Sequence, residues 1–236
     1  KEQAQLLRLA PYKVLAITPQ AGYIKFVRRS KPLSAALRES HWDLVAYFKS
    51  TADACGLPLS AVLDRFMGSV AAFSVATYVL GIGDRHLDNL MVTDSGHFFH
   101  VDFGFVFGDD PKPGAPPLRL PREIVSVLLW QDGSSRVSRY DRCFSLAGQA
   151  FQVLRNRSSL WTAILKLTSA AGGVGVSKLR SEIQGKQAVA GVIERLHMDE
   201  DDEQASVLFY NVMRDAHEAL YPMIMDKMHQ VGQFWH

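Results

Sequence analysis

Cysteine is nearly absent. Cys55 and Cys143 are the only two in 236 residues, and they stand too far apart for a metal spacing or a disulfide framework. That excludes a disulfide-stapled secreted fold and a zinc module, and a reducing compartment is the simplest setting. An excess of charge of either sign is also missing. The 26 basic residues meet 24 acidic ones, and a formal net charge of +2 is too balanced to argue for a nucleic-acid partner. No internal repeat appears, and no initiator Met, signal peptide or transit segment: the opening Lys1-Glu2-Gln3-Ala4-Gln5 sets the expectation of a piece excised from a longer protein. Apolar residues, in contrast, make up 47% of the chain, ample for one large core or two small ones.

The longest uncharged run holds eighteen residues between Arg65 and Asp84, which touches the threshold for a membrane-spanning helix. It contains Gly68, Ser69, Ser74, Thr77 and Tyr78, ends in Gly81 and Gly83, and delivers Asp84 directly. Residues 59–80 therefore read as a core helix, apolar on all sides and in contact on all sides.

The stretch it leads into, residues 81–108, carries most of the chemistry. Leu90 to Thr93 and residues 97–101 read as short strands joined by Asp94-Ser95-Gly96, whose Asx and glycine chemistry suits a tight reversal. That turn folds Asp102 back beside Asn89. One amide oxygen and one carboxylate can then converge on a hard cation, Mg²⁺ or Mn²⁺, with ATP phosphates completing its shell. Phosphoryl transfer needs this arrangement, because its transition state is loose and anionic and catalysis consists mainly of holding metal, phosphate and acceptor in line. Asp84 precedes Asn89 by five residues, the offset of the protein-kinase catalytic loop, and Asp102-Phe103-Gly104 follows as D-F-G. The triplet is nevertheless Asp84-Arg85-His86, not His-Arg-Asp. Asp84 and His86 are the candidates for taking the acceptor hydroxyl's proton. An imidazole near ~6.5 can be a neutral base, while a carboxylate near ~3.9 is always an anion but a weak base, and the sequence leaves the choice open. Arg85 reads as a brace for the loop.

Elsewhere, residues 12–17 and 22–27 read as strands around Thr18-Pro19-Gln20-Ala21, and 34–39 and 43–54 as short amphipathic helices. Residues 109–120 are too proline-rich for helix. Residues 122–130, 137–155 and 159–170 read as helices, with Pro121 in a first-turn position and Ser158 as a cap. Residues 172–175 are a glycine linker without the lysine or strand of a phosphate loop. The acidic run 199–203 reads as a solvated helix start for a pattern reaching Leu220, and residues 223–235 as a last amphipathic helix.

Gly-Asp-Arg-His-Leu-Asp-Asn-Leu (83–90) followed by His-Val-Asp-Phe-Gly-Phe-Val-Phe-Gly-Asp-Asp-Pro-Lys-Pro (100–113) closely resembles the phosphatidylinositol 3-kinase superfamily, and within it the class III enzymes. The resemblance runs from Pro11 to His236. It implies an α+β, protein-kinase-like fold: a mainly helical C-lobe with small β-hairpins, most of the N-lobe absent. Residues 1–27 would be the last N-lobe strands and hinge, 81–89 the catalytic loop, 102–121 the activation loop and 222–236 a membrane-binding helix. It further implies that the Lys25 carbonyl and Val27 amide meet adenine, that Met91 and Val101 floor its pocket, and that Lys112 and Arg119 face the lipid head group. Phe234 and Trp235 would enter the membrane. The implied reaction moves the ATP γ-phosphate to the 3-hydroxyl of phosphatidylinositol, with regulatory subunits of a class III complex as partners. The implied setting is cytoplasmic, peripheral on endosomal or autophagic membranes. No glycine-rich phosphate loop or strand-borne lysine precedes Gly81, so the 236 residues alone are expected to be inactive. The rival readings are a Ser/Thr protein kinase of the same superfamily and a catalytically silent binding module.

Overall fold

A computed structural model describes residues 6–18, 21–112, 114–131, 133, 137–170 and 182–218. In chain order the elements are β1 (Val14–Thr18), β2 (Ala21–Ile24), β3 (Ser30–Pro32), α1 (Leu33–Glu39), α2 (Leu44–Cys55), α3 (Leu59–Leu80), β4 (Leu90–Thr93) and β5 (Phe98–His100). There follow α4 (Arg122–Leu129), α5 (Arg139–Arg155), α6 (Ser158–Ala170), α7 (Glu182–Arg195) and α8 (Asp202–Glu218). Among the described residues the strands form two small antiparallel sheets, β1-β2 and β3-β4-β5, and helix predominates elsewhere, as expected.

Helix α3 is the axis of this fold, with α2, α4, α5, α7 and β5 packed around it. Its length and composition would allow a membrane crossing, yet most of its apolar stretch is buried inside the protein. Two of the polar residues that break the run are satisfied within it: Ser69 Oγ donates to Phe66 O at 2.9 Å and Thr77 Oγ1 to Phe73 O at 2.7 Å. Ser69 Oγ also accepts from the Phe98 amide at 2.8 Å, which fixes the β4-β5 hairpin to the helix. Rings extend the core on both sides. Phe48 lies 4.9 Å from Phe66, itself 6.0 Å from Phe98, while Phe151 stacks on Phe209 at 4.5 Å under Tyr78.

Asp43 precedes α2 as its cap, its carboxylate accepting from the Val45 and Ala46 amides. Ser138 caps α5 in the same way. Ser158, expected as a cap, is instead the first residue of α6: the Arg157 carbonyl accepts from Leu160 and Trp161, so Arg157 holds the cap position. The acidic run behaves as a helix start, with Asp201 Oδ1 accepting from the Gln204 amide and Asp202 pairing with Arg155. Two elements were not anticipated, β3 and α7. Residues 172–175 and the expected helix at 223–235, with Phe234 and Trp235, lie outside the described residues.

Candidate active site

The end of α3 and the open end of the β4-β5 hairpin meet at one point. The helix stops at Gly81, whose amide and that of Ile82 turn back to Tyr78 O and Thr77 O at 3.0 and 2.9 Å. Hairpin register pairs Leu90 with His100, and the next bond outward joins the Val101 amide to Asn89 O at 3.1 Å. Asn89 and Asp102 are therefore neighbours at the hairpin mouth, as the turn chemistry predicted. Alternation along the strands puts Asn89, Met91, Phe99 and Val101 on one face, while Leu90 and Val92 face the core. Met91 and Val101 are half-buried there, and Tyr12 covers part of that face, its ring 6.0 Å from Phe99 and its hydroxyl donating to His100 O at 3.2 Å.

Two acidic residues sit in left-handed backbone, Asp84 at φ 53° and Asp102 at φ 60°. Such a conformation costs about 1–2 kcal/mol for a residue with a Cβ, so each needs local support. Asp84 receives it from both neighbours: its amide donates to Asp110 Oδ2 at 3.0 Å, and its carbonyl accepts from Asn89 Nδ2 at 2.9 Å. At Asp102, Oδ1 accepts from the Gly104 amide at 3.2 Å, and the carbonyl accepts from Arg85 Nη2 at 2.6 Å.

Arg85 is the brace its motif suggested. Buried under the site, it donates to the carbonyls of Gly83, Val101 and Asp102, approaches His100 Nδ1 at 3.4 Å, and rests 5.8 Å from the Phe103 ring. Burial pulls its pKa below the usual guanidinium value, against the opposing pull of Asp84, Asp102 and Asp110. Completely buried His100 is driven well below the usual imidazole value, first by desolvation and then by Arg85. It is a neutral ring stacked on Phe73 at 5.3 Å.

Asp84 and His86 converge. His86 Nδ1 accepts from the Asp88 amide at 3.3 Å, and Nε2 stands 3.7 Å from Asp84 Oδ2. Lys112 reaches the same carboxylate, its Nζ 3.5 Å from Asp84 Oδ1. Arg119 and Lys112 line one cleft with Arg85, Asp110 and Ile82, so the two basic residues of the loop face the catalytic stretch. Lys25 and Val27 follow β2 in a loop. The Lys25 amide donates to Lys13 O at 2.8 Å and the Val27 carbonyl accepts from Ser30 Oγ at 2.7 Å. The Lys25 carbonyl and Val27 amide, the pair expected to meet adenine, take no part in either bond. Asp110 and Tyr12 were not anticipated: an aspartate in a proline-rich segment and an aromatic at a strand start carry no distinguishing signal.

The donor set fits a hard cation. Asn89 spends its Nδ2 on Asp84 O, which leaves its amide oxygen for a cation, and the exposed Asp102 follows Val101, whose amide bonds Asn89 O. Amide and carboxylate oxygens suit Mg²⁺ or Mn²⁺ rather than a softer metal.

The lobe is mainly helical, and these residues stand at the mouth of its β4-β5 hairpin. Residues 1–177 match the family described as phosphatidylinositol 3- and 4-kinase, and the chain belongs to that family. Over 232 residues, 97% of its length, it is 38% identical to phosphatidylinositol 3-kinase VPS34 of Saccharomyces cerevisiae and 35% identical to that of Arabidopsis thaliana. It is 34% identical over 240 residues, 99% of its length, to phosphatidylinositol 3-kinase pik3 of Schizosaccharomyces pombe. These alignments cover 25%, 27% and 29% of the three relatives, so the chain spans about a quarter of the length of the curated relatives it matches.

Proposed function

We propose that the chain is the C-terminal lobe of a phosphatidylinositol 3-kinase catalytic domain, moving the ATP γ-phosphate to the 3-hydroxyl of phosphatidylinositol to give phosphatidylinositol 3-phosphate. The observation that carries this reading is the hairpin mouth itself: the Val101 amide bonds Asn89 O, Asn89 Nδ2 bonds Asp84 O, and Arg85 bonds the carbonyl of the adjoining Asp102. Asn89 and Asp102 hold the divalent cation, which when bound neutralises charge on the transferring phosphate. Arg85 fixes the backbone that presents both. Asp84 and His86 face the acceptor hydroxyl. His86 Nδ1 accepts from the Asp88 amide and its Nε2 stands 3.7 Å from Asp84 Oδ2, so the two side chains work as a pair. The Asp84 and His86 pair takes the proton late, as the phosphoryl group reaches the inositol oxygen. Lys112, at present paired with Asp84, and Arg119 then meet the lipid phosphodiester.

Between residues 109 and 120 these two cations stand against Asp109 and Asp110. Each additional head-group phosphate entering a partly desolvated site needs a cation opposite it, so the loop suits phosphatidylinositol better than its 4,5-bisphosphate. Met91 and Val101 support the adenine, and the backbone at Lys25 and Val27 bonds to it. Phe234 and Trp235 insert into the membrane, and class III regulatory subunits bring the enzyme to endosomal and autophagic membranes. The test is a lipid-kinase assay of the intact parent protein on vesicles carrying a panel of phosphoinositides. Phosphatidylinositol is expected to be the preferred acceptor, and equal phosphorylation of the 4,5-bisphosphate would overturn the specificity.

A further inference from the structure

The two loops of the site do not end at their motifs. Each continues to a glycine, Gly81 before Asp84 and Gly108 after Asp102, and these stems are joined by backbone bonds. The Phe107 amide donates to Leu80 O and the Gly108 amide to Gly81 O, both at 2.8 Å, and the Gly83 amide donates to Phe105 O at 3.0 Å. Over this junction lies a side chain from a distant element, Arg195 at the end of α7. Both glycines are in the left-handed region, at φ 55° and φ 90°. A Cβ on Gly81 would collide with Arg195 Nη2 and sit 2.5 Å from the Gly108 nitrogen, and one on Gly108 would lie 2.8 Å from the same Nη2. The planar guanidinium thus rests where two side chains are missing.

Arg195 is itself held. Its Nη1 donates to Gly191 O at 2.6 Å and approaches Val79 O at 3.5 Å. The turn that follows is fixed by Arg155, which donates to Leu196 O at 3.0 Å and to the carbonyls of His197 and Glu200, and pairs with Asp202 at 3.0 Å. His197 Nε2 meets the Tyr78 hydroxyl at 3.0 Å, which ties the same turn to α3. The guanidinium therefore approaches the stems from a frame anchored on three helices. A planar fork can cover two backbone segments together in a way that a single ammonium cannot.

We infer that Arg195 is a positioning residue for phosphoryl transfer, locking the stems of the Asp84 and Asp102 loops to each other so that acceptor and cation ligands keep one relative placement. The inference rests on the kinase reading above. Because the bonds of Arg195 go to Gly191 O and Val79 O and not to Asp84, Asn89 or Asp102, loosening the lock is expected to lower kcat and to leave the KM for ATP little changed.

The experiment uses the intact parent protein with Arg195→Met and Arg195→Lys, read by lipid-kinase kinetics, thermal melting and amide hydrogen exchange. Arg195→Met is expected to lower kcat about tenfold or more with the KM for ATP within about twofold. Its melting temperature should stay near that of the wild type, and exchange should quicken in peptides covering 81–89 and 102–112 but not 139–155. Arg195→Lys is expected to fall between the two. Unchanged kcat and exchange in Arg195→Met would overturn the proposal, as would faster exchange everywhere with a lowered melting temperature, which would mark a purely structural role. If the wild-type parent makes no phosphoinositide product, the kinase reading fails, while the exchange comparison still decides whether the lock exists.

Discussion

Replacing Arg85 by Met tests the internal brace of the site. The substitution keeps an unbranched side chain in the space and removes every donor. Gly83 O and Asp102 O lose their bonds, and Val101 O loses its longer one at 3.3 Å. Water can replace the donor at exposed Asp102 but not at buried Gly83. A buried acceptor left unpaired costs about 1–3 kcal/mol. Removing a buried charge returns part of its desolvation cost, so the net loss of stability is set at roughly 1–3 kcal/mol. The catalytic effect is larger than the stability effect. Without Arg85 the left-handed Asp102 backbone has lost the donor to its carbonyl, and a relaxation near ~1 Å at a metal ligand lowers turnover about 100-fold. Lys at this position recovers little, because one ammonium cannot reach carbonyls on both loops as a five-donor fork does. The assay is steady-state lipid phosphorylation by the intact parent protein, with a thermal melt beside it. Turnover by either variant within about threefold of wild type would refute the brace, since a loop that needed it should lose ~10²-fold.

Phe66→Ala removes a fully buried ring between Phe48 and Phe98 and is expected to destabilise the lobe by about 3–5 kcal/mol in denaturant unfolding. His100 has a folded pKa depressed below its unfolded value, so the unfolded chain binds more protons as pH falls below ~6.5 and stability present above that pH is lost, at up to ~1.4 kcal/mol per pH unit. Melting temperatures between pH 7.5 and 5.5 check this, with His100→Phe expected to flatten the slope. Lys112→Ala frees Asp84 of its ion pair and, on the proposed reading, takes a cation from the head-group site, so the KM for phosphatidylinositol vesicles should rise while that for ATP holds. An unchanged lipid KM would place Lys112 outside the acceptor site.

Where local chemistry decides structure, the sequence was readable. Helix α3 runs over the residues its apolar content predicts, because nothing inside Leu59–Leu80 can stop a helix and Gly81 then ends it in left-handed backbone. The hairpin and the neighbouring places of Asn89 and Asp102 follow from a three-residue turn between apolar strands. Other features depend on partners far along the chain. β3, Ser30-Lys31-Pro32, has no alternation and contains a proline; it is a strand because β4 offers an edge. α7 carries Gly185 and Gly191 and a weak apolar pattern, so its helix rests on packing through Ala188, Val189 and Val192. The pairing of Lys112 with Asp84 and the reach of Arg195 to Gly81 and Gly108 leave no local trace. A spacing can nominate Asp84, His86, Asn89 and Asp102, but only the folded chain says what holds them.

The central claim is that Asn89 and Asp102 at the hairpin mouth hold the cation for phosphoryl transfer to a lipid. The most direct measurement compares phosphate transfer to phosphatidylinositol vesicles by the intact parent protein and by its Asp102→Ala variant, with melting temperatures taken in parallel. The account predicts phosphatidylinositol 3-phosphate from the wild type and at least about 100-fold less from a variant that melts as the wild type does. Near-normal product from a folded Asp102→Ala protein would contradict it.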